Sequence, residues 1–267
     1  MARRDEAEEY SLAHIHSCIC RDRGYVRLNV PTNHPLFGKA IPCACKRNQQ
    51  AAAIGRKLRA MSGLSETEYE AYTFEQFKPV LCAPAKSMTD SEMKRFIAYM
   101  KQTKETCEAY AKSPGIKWLV LSGSVGTGKT HLAKSIAASQ LQYGRQCFVS
   151  TWPDLLDLLR AGYQKDAKDN MQQRLDWIKQ VELLVIDDLG VEARTDWGLE
   201  QLYRVVNWRY DNNKPLVLTT NLSTEQLTRL EARVASRLSE GAQTDNGRVV
   251  WVKLICGDFR PHRRLTI

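Results

Sequence analysis

Nowhere in its 267 residues does the chain carry an apolar run long enough to cross a bilayer. The first residues, Met-Ala-Arg-Arg-Asp-Glu, lack the apolar core of a secretory signal. No internal repeat and no low-complexity tract is present. These absences point to a globular protein of the cytoplasm without a membrane partner. There the eight cysteines are expected to stay reduced, so close pairs read as metal ligands rather than disulfides. Acidic residues are in the minority, 30 against 39 Lys and Arg, for a formal charge of +9. Residues 1–60 hold eleven Lys/Arg and five Asp/Glu, so about +6 of that excess lies in the first quarter. Such a bias points to a polyanionic partner, nucleic acid first. Apolar content of 43% supports one large or two modest packed domains.

The chain is organised around Gly123-Ser124-Val125-Gly126-Thr127-Gly128-Lys129-Thr130. An apolar run, Trp118–Leu121, precedes it and a helical segment from His131 follows. Strand, Gly-rich loop, Gly-Lys-Thr and helix together make the setting of a phosphate-binding P-loop. Glycines let backbone N–H groups turn inward onto phosphate oxygens, and the helix N-terminus adds partial positive charge. Lys129 can reach the β- and γ-phosphates and the Thr130 hydroxyl can sit on Mg²⁺. The motif reads as a nucleoside triphosphate site.

Residues 1–60 have too few apolar residues for a core of their own and are expected to need a staple. Two pairs, Cys18/Cys20 and Cys43/Cys45, can supply four thiolates to one Zn²⁺. His14 and His16 are near enough to replace Cys18. Between the pairs, residues 25–30 read as a short strand. Residues 46–61 have helical potential, and the aromatic stretch 72–77 is suited to stacking on a base or to packing. Thr89 is an N-cap for a helix running to about Lys112.

From residue 116 strands and helices alternate. Strands are expected at 117–122, 146–150, 183–187, 215–219 and 248–253, and helices near 129–142, 152–162, 168–181, 196–212 and 223–240. The middle strands are near-continuously apolar, as in a parallel sheet covered on both faces. The fold class is α/β, a three-layer domain. Asp187 and Asp188 end a buried strand where carboxylates would face the phosphates. Asp187 can hold Mg²⁺, and Asp188 or Glu192 can polarise a water. Asn221, after Leu216–Thr220, can orient that water or open the next helix as an Asx turn. Arg233 and Arg237 share one helix face.

Taken in order, GSVGTGKT, LLVIDDLGVE, WRYDNNKP leading into LTTNL, and ARVASRLSEG resemble AAA+ ATPases of the DnaC/IstB-like class across roughly residues 70–267. The front end, with His34-Pro35-Leu36-Phe37-Gly38-Lys39 and Pro42-Cys43-Ala44-Cys45, resembles the bacterial helicase loaders of the DnaC/DnaI type. The resemblance implies a P-loop domain with a five-stranded parallel sheet and no C-terminal lid at 113–267. It further implies a linker and lead-in helix at 61–112 and a zinc-binding, helicase-contacting domain at 1–60. Asn221 becomes sensor I, Arg237 the arginine finger acting in trans, with Arg233 as alternate, and Arg260 the sensor II arginine. His131 joins the nucleotide-binding set. Implied partners are the hexameric replicative helicase, single-stranded DNA and further copies of the chain; Lys165, Lys168 and Arg174 are candidate phosphate contacts. The family's first cysteine pair is spaced by two, which would place a ligand at Ser17, so Cys18 departs from the pattern. An IstB-type transposition helper and a nucleotide-gated adaptor are the competing readings. No acceptor pocket or lid of a small-molecule kinase is legible.

Overall fold

The computed structural model describes Cys20 and residues 23–78, 89–115, 117–161, 171–190, 195–239 and 248–255. Cys18, Glu192, Lys165, Lys168 and Arg260 lie outside the described residues. The chain divides into two compact units, residues 1–57 and 58–267. No described helix is long and apolar enough to cross a membrane.

In the first unit β1 (Tyr25–Arg27) pairs antiparallel with β2 (Ala40–Pro42), and α1 (Ala44–Ala60) follows. The expected strand at 25–30 thus ends at Arg27. Lys46 Nζ lies 3.8 Å from the Tyr25 ring centroid and donates to its hydroxyl at 2.6 Å.

The second unit takes in the last three residues of α1 and then α2 (Glu66–Ala71) and α3 (Asp90–Lys112). Capping boxes open both: Ser65 and Thr89 each accept from the backbone three residues on, and Glu68 and Glu92 reach back. The sheet contains β3 (Trp118–Gly123), β4 (Cys147–Thr151), β5 (Leu183–Leu189), β6 (Leu216–Thr220) and β7 (Val249–Leu254). All four pairings are parallel, in the order β4-β5-β6-β3-β7. Thus β6 lies between the P-loop strand β3 and β5.

Helices cover both faces: α4 (Lys129–Gln142), α5 (Trp152–Arg160), α6 (Met171–Gln180), α7 (Asp196–Asp211), α8 (Thr224–Leu230) and α9 (Ala232–Ser239). Alternation along the strands divides the core in two. Trp118, Val120, Leu184, Ile186, Leu216 and Leu218 face α5 to α9. Leu119, Leu121, Leu183, Val185 and Val217 face α3, α4 and the aromatic stretch. The scattered Cys107 and Cys147 are buried in this second core, where burial pushes each thiol up to about 12. They pack as small apolar residues and are not reactive thiols.

The single helix expected at 223–240 is two helices. Glu231 is extended between them (φ −155°, ψ 99°), and its carboxylate accepts from the Arg233 backbone N–H at 3.2 Å. The carboxylate caps α9 and breaks the helical run.

Arg209, wholly buried on α7, ties the layers together. Its guanidinium donates to the carbonyls of Ile178, Lys179, Val181, Glu182 and Pro215. It closes the C-terminus of α6 and the entries of β5 and β6. Burial pushes it down to about 9, which leaves it charged at neutral pH. Arg209→Ala orphans these carbonyls and should cost about 3–5 kcal/mol. At about 2–4 °C per kcal/mol for a domain of this size, the thermal midpoint should fall by roughly 10 °C. An unchanged melt would contradict this role.

Candidate nucleotide site and thiol cluster

The P-loop carries the backbone geometry that its glycines permit. Gly123, Gly126 and Gly128 have φ of 150°, 79° and 90°. A Cβ on Gly123 would stand 2.3 Å from the Leu254 carbonyl oxygen, and one on Gly128 would stand 2.8 Å from the Phe77 ring. Both positions therefore exclude side chains. Thr127 Oγ1 closes the loop by donating to the Ser124 carbonyl at 3.0 Å. The first intrahelical bond of α4 runs from Leu132 N to Gly128 O, so the amides of residues 129–131 precede the ladder and point toward the loop. Lys129 is 7% exposed, and its Nζ donates to the Gly123 and Ser124 carbonyls at 2.9 and 2.7 Å. Val125 stands exposed at the tip.

Across the mouth of the loop, Asp187 Oδ1 accepts from Thr130 Oγ1 at 3.1 Å and from Thr219 Oγ1 at 2.6 Å. Thr219 Oγ1 in turn accepts from the Asp188 N–H at 2.8 Å. Ile186 pairs with Leu218 and Leu189 with Thr220, so β5 holds one residue more than β6 in this interval. The bulge places Asp188 at φ 54°, a region that few residues other than Gly, Asn and Asp adopt. Successive strand residues would ordinarily face opposite ways. Here buried Asp187 is tied to the P-loop threonine, while exposed Asp188 meets Asn221, whose Nδ2 donates to its Oδ1 at 3.3 Å.

Asn221 is not the helix cap. Ser223 caps α8, with Gln226 completing the box. Asn221 is thereby left at the carboxylate. Sequence reading missed Thr219. Its signal was the pair Thr219-Thr220 ending an apolar strand, both fully buried hydroxyls that require partners. Thr220 donates to the Leu189 carbonyl at 2.6 Å and so holds the far side of the bulge.

The aromatic stretch packs on the P-loop helix. Phe77 lies against Gly128, and the Tyr72 and Phe77 rings lie 5.2 and 5.6 Å from that of His131. His131 Nε2 meets the Thr73 carbonyl at 2.9 Å. Lys134 forms an ion pair with Glu68 and, as its strongest partner, holds that carboxyl below its usual range. A depressed carboxyl stabilises the folded form above its unfolded value of 4.5. That contribution is lost as pH falls through the folded value.

Arg237 does not join this cluster. It lies on α9, in the layer opposite α4. Arg174, half-buried, donates to the Leu158 carbonyl at 2.7 Å and ties α6 to α5.

In the first unit the Sγ atoms of Cys20, Cys43 and Cys45 lie within 4.8 Å of one another, those of Cys20 and Cys45 at 3.4 Å. Gly24 N donates to Cys20 Sγ at 3.3 Å, and Cys43 N donates to Gly24 O at 2.9 Å. Thiolates around tetrahedral zinc stand about 3.8 Å apart, as Zn–S bonds of about 2.3 Å require. The three sulfurs have the spacing of a metal site.

A Gly-shaped phosphate cradle, a buried lysine and a carboxylate bonded to the P-loop threonine have the form of a P-loop nucleoside triphosphate site. Residues 110–232 match the family described as IstB-like ATP binding protein. The phage-like element PBSX protein XkdC of Bacillus subtilis is 32% identical over 199 residues, 69% of this chain and 68% of that one. The protein belongs to the DnaC/IstB-like family of AAA+ ATP-binding proteins. The replicative helicase loader DnaC of Escherichia coli is 29% identical over 123 residues, 46% of this chain and 50% of DnaC. The crystal structure of DnaI superimposes with a TM-score of 0.51 at 19% identity, covering 76% of this chain and all of that one; this likeness is one of fold. The chain spans 29–68% of the lengths of these and other curated relatives.

Proposed function

We propose that the protein is an ATP-dependent loader that binds the replicative DNA helicase and single-stranded DNA and assists deposition of the helicase ring. The observation that carries this reading is the joining, in one chain, of the family's ATP-binding core to a separate small unit with three convergent thiols. The likeness to DnaC supports it.

In this reading the amides of residues 124–131 and Lys129 hold the β- and γ-phosphates. Thr130 and Asp187 would hold Mg²⁺, which when bound would neutralise charge on the phosphate oxygens. Asp188 polarises the attacking water, and Asn221 holds Asp188 and orients that water. Arg237 acts on ATP bound to a neighbouring copy, which its place in the layer opposite α4 supports. Arg260 completes the set from outside the described residues. Turnover is therefore weak until subunits assemble.

The thiol cluster would hold a structural Zn²⁺, with Cys18 as fourth ligand or His14 or His16 in its place. Metal analysis of the full chain should give about one zinc per chain, lost in Cys43→Ser; a metal-free folded protein would remove the zinc reading. Single-strand binding should weaken steeply as salt rises, because each neutralised phosphate releases counterions. A flat salt response would remove the nucleic-acid role.

The matched family description also favours a transposition helper of the IstB type. Gel filtration of the full chain with the hexameric replicative helicase separates the two. Co-elution supports the loader, and independent elution across micromolar concentrations removes it.

A further inference from the structure

We propose that Tyr203, Asn207 and Tyr210 on α7 are positioning residues that present Arg237 to a nucleotide on another copy of the chain. This rests on the reading of Arg237 as the arginine acting in trans.

The three residues are spaced i, i+4, i+7 and share one helix face. The Arg237 guanidinium carbon lies 5.5 Å from the Tyr203 ring centroid and 5.4 Å from that of Tyr210. The same two rings also carry Arg233 and Arg248, at 4.0 Å from Tyr203 and Tyr210 respectively. Two rings of α7 thus gather three arginines. Arg237 Nη2 donates to Asn207 Oδ1, and Nη1 donates to the Arg233 carbonyl at 3.3 Å. Asn207 is itself oriented, since its Nδ2 donates to Asp211 Oδ2 at 2.8 Å and leaves Oδ1 for the arginine.

The chemistry of these contacts matters more than their number. Arg237 is held by ring faces, an amide oxygen and a carbonyl, all neutral. Glu231 is engaged by Arg233, with Nε at 2.7 Å. The contacts therefore fix the Arg237 side chain without neutralising it. Its half-buried position fits a held side chain, and its buried Nε has no hydrogen-bond partner among the described residues. A loose surface arginine would lose rotamer freedom when it met a phosphate. One already stacked and bonded has lost it on folding, which is the purpose of preorganisation.

The test is ATP turnover of the assembled protein, with subunit mixing. Asn207→Ala should lower turnover about tenfold to a hundredfold, with nucleotide affinity and melting temperature near wild type. Mixing it with Lys129→Ala subunits should restore part of the turnover, at interfaces where an intact P-loop meets an intact arginine cluster; ATP held by the Asn207→Ala P-loop can join such a pair although Lys129→Ala does not assemble alone. Tyr203→Phe keeps the ring and should behave as wild type, whereas Tyr203→Leu should fall with Asn207→Ala. Full turnover by Asn207→Ala, or a loss that mixing does not rescue, would overturn the positioning role. Arg237→Ala separates the two levels: if it turns over normally, or if the assembled wild type does not turn over at all, the reading of Arg237 itself falls. If Arg237→Ala is inactive and rescued by mixing while Asn207→Ala is normal, only the positioning role falls.

Discussion

Lys129→Ala is expected to abolish ATP binding and with it ATP-dependent assembly. Lys129 is a nearly buried cation, held between the carbonyls at the start of the P-loop. Without it the triphosphate loses its direct counter-charge in a site walled by β3, β6 and α4. Its removal from a P-loop is therefore expected to cost far more than a surface charge would. The glycine geometry at residues 123–128 should survive, because φ angles and the Thr127–Ser124 bond do not depend on the lysine. A normally melting variant that neither binds nor assembles is the expected result, read by equilibrium nucleotide binding and light scattering. Undiminished assembly would remove the site assignment.

Asp188→Asn is expected to lower turnover about 10²- to 10⁴-fold while leaving ATP affinity near wild type. Asparagine suits this experiment for a backbone reason. Asp188 sits at φ 54°, where asparagine is at home, so the bulge persists and only the charge is removed. The Asp188 N–H that donates to Thr219 Oγ1 belongs to the backbone, so this bond also persists. Asp187, tied to Thr130 and Thr219, is untouched, so the proposed Mg²⁺ site stays. Glu192→Gln is the companion measurement. If Glu192 polarises the water instead, it will show the larger loss and Asp188→Asn the smaller. Negligible turnover by the assembled wild type, no lower in either variant, would favour a nucleotide-gated adaptor over a motor.

Much of the ATP-binding domain was legible because its signals are local. A Gly-rich loop between an apolar run and a helix needs no tertiary knowledge, and neither does a capping box such as Thr89 with Glu92. The limits of α3, and those of the five strands to within two residues, followed from such signals; β5 runs on to Leu189, past the expected end at 187. Strand order did not, because linear sequence carries no record that β6 inserts between β3 and β5. That insertion brings Thr219 against Asp187 and Asn221 against Asp188. The bulge at Asp188 was equally hidden: two consecutive carboxylates after a buried strand are its only local trace. The break at Glu231 was missed because glutamate is a good helix former and an uncommon cap. Here its carboxylate satisfies both the Arg233 amide and its guanidinium. For the aromatic stretch both stacking and packing had been open. Phe77 fills the space beside Gly128 that a side chain there would occupy. The close pairs Cys18/Cys20 and Cys43/Cys45 read as one set in the sequence; the Sγ atoms of Cys20, Cys43 and Cys45 lie within 4.8 Å of one another, and Cys18 lies outside the described residues.

The most direct test of the loader reading uses closed circular single-stranded DNA. A helicase ring can encircle such a circle only if the ring opens. The amount of replicative helicase retained on the circles would be measured with ATP, in the presence of wild-type protein, Lys129→Ala, or no added protein. The account predicts retention with the wild type and background levels in the other two. Equal retention with Lys129→Ala, or no gain over helicase alone with the wild type, would contradict it.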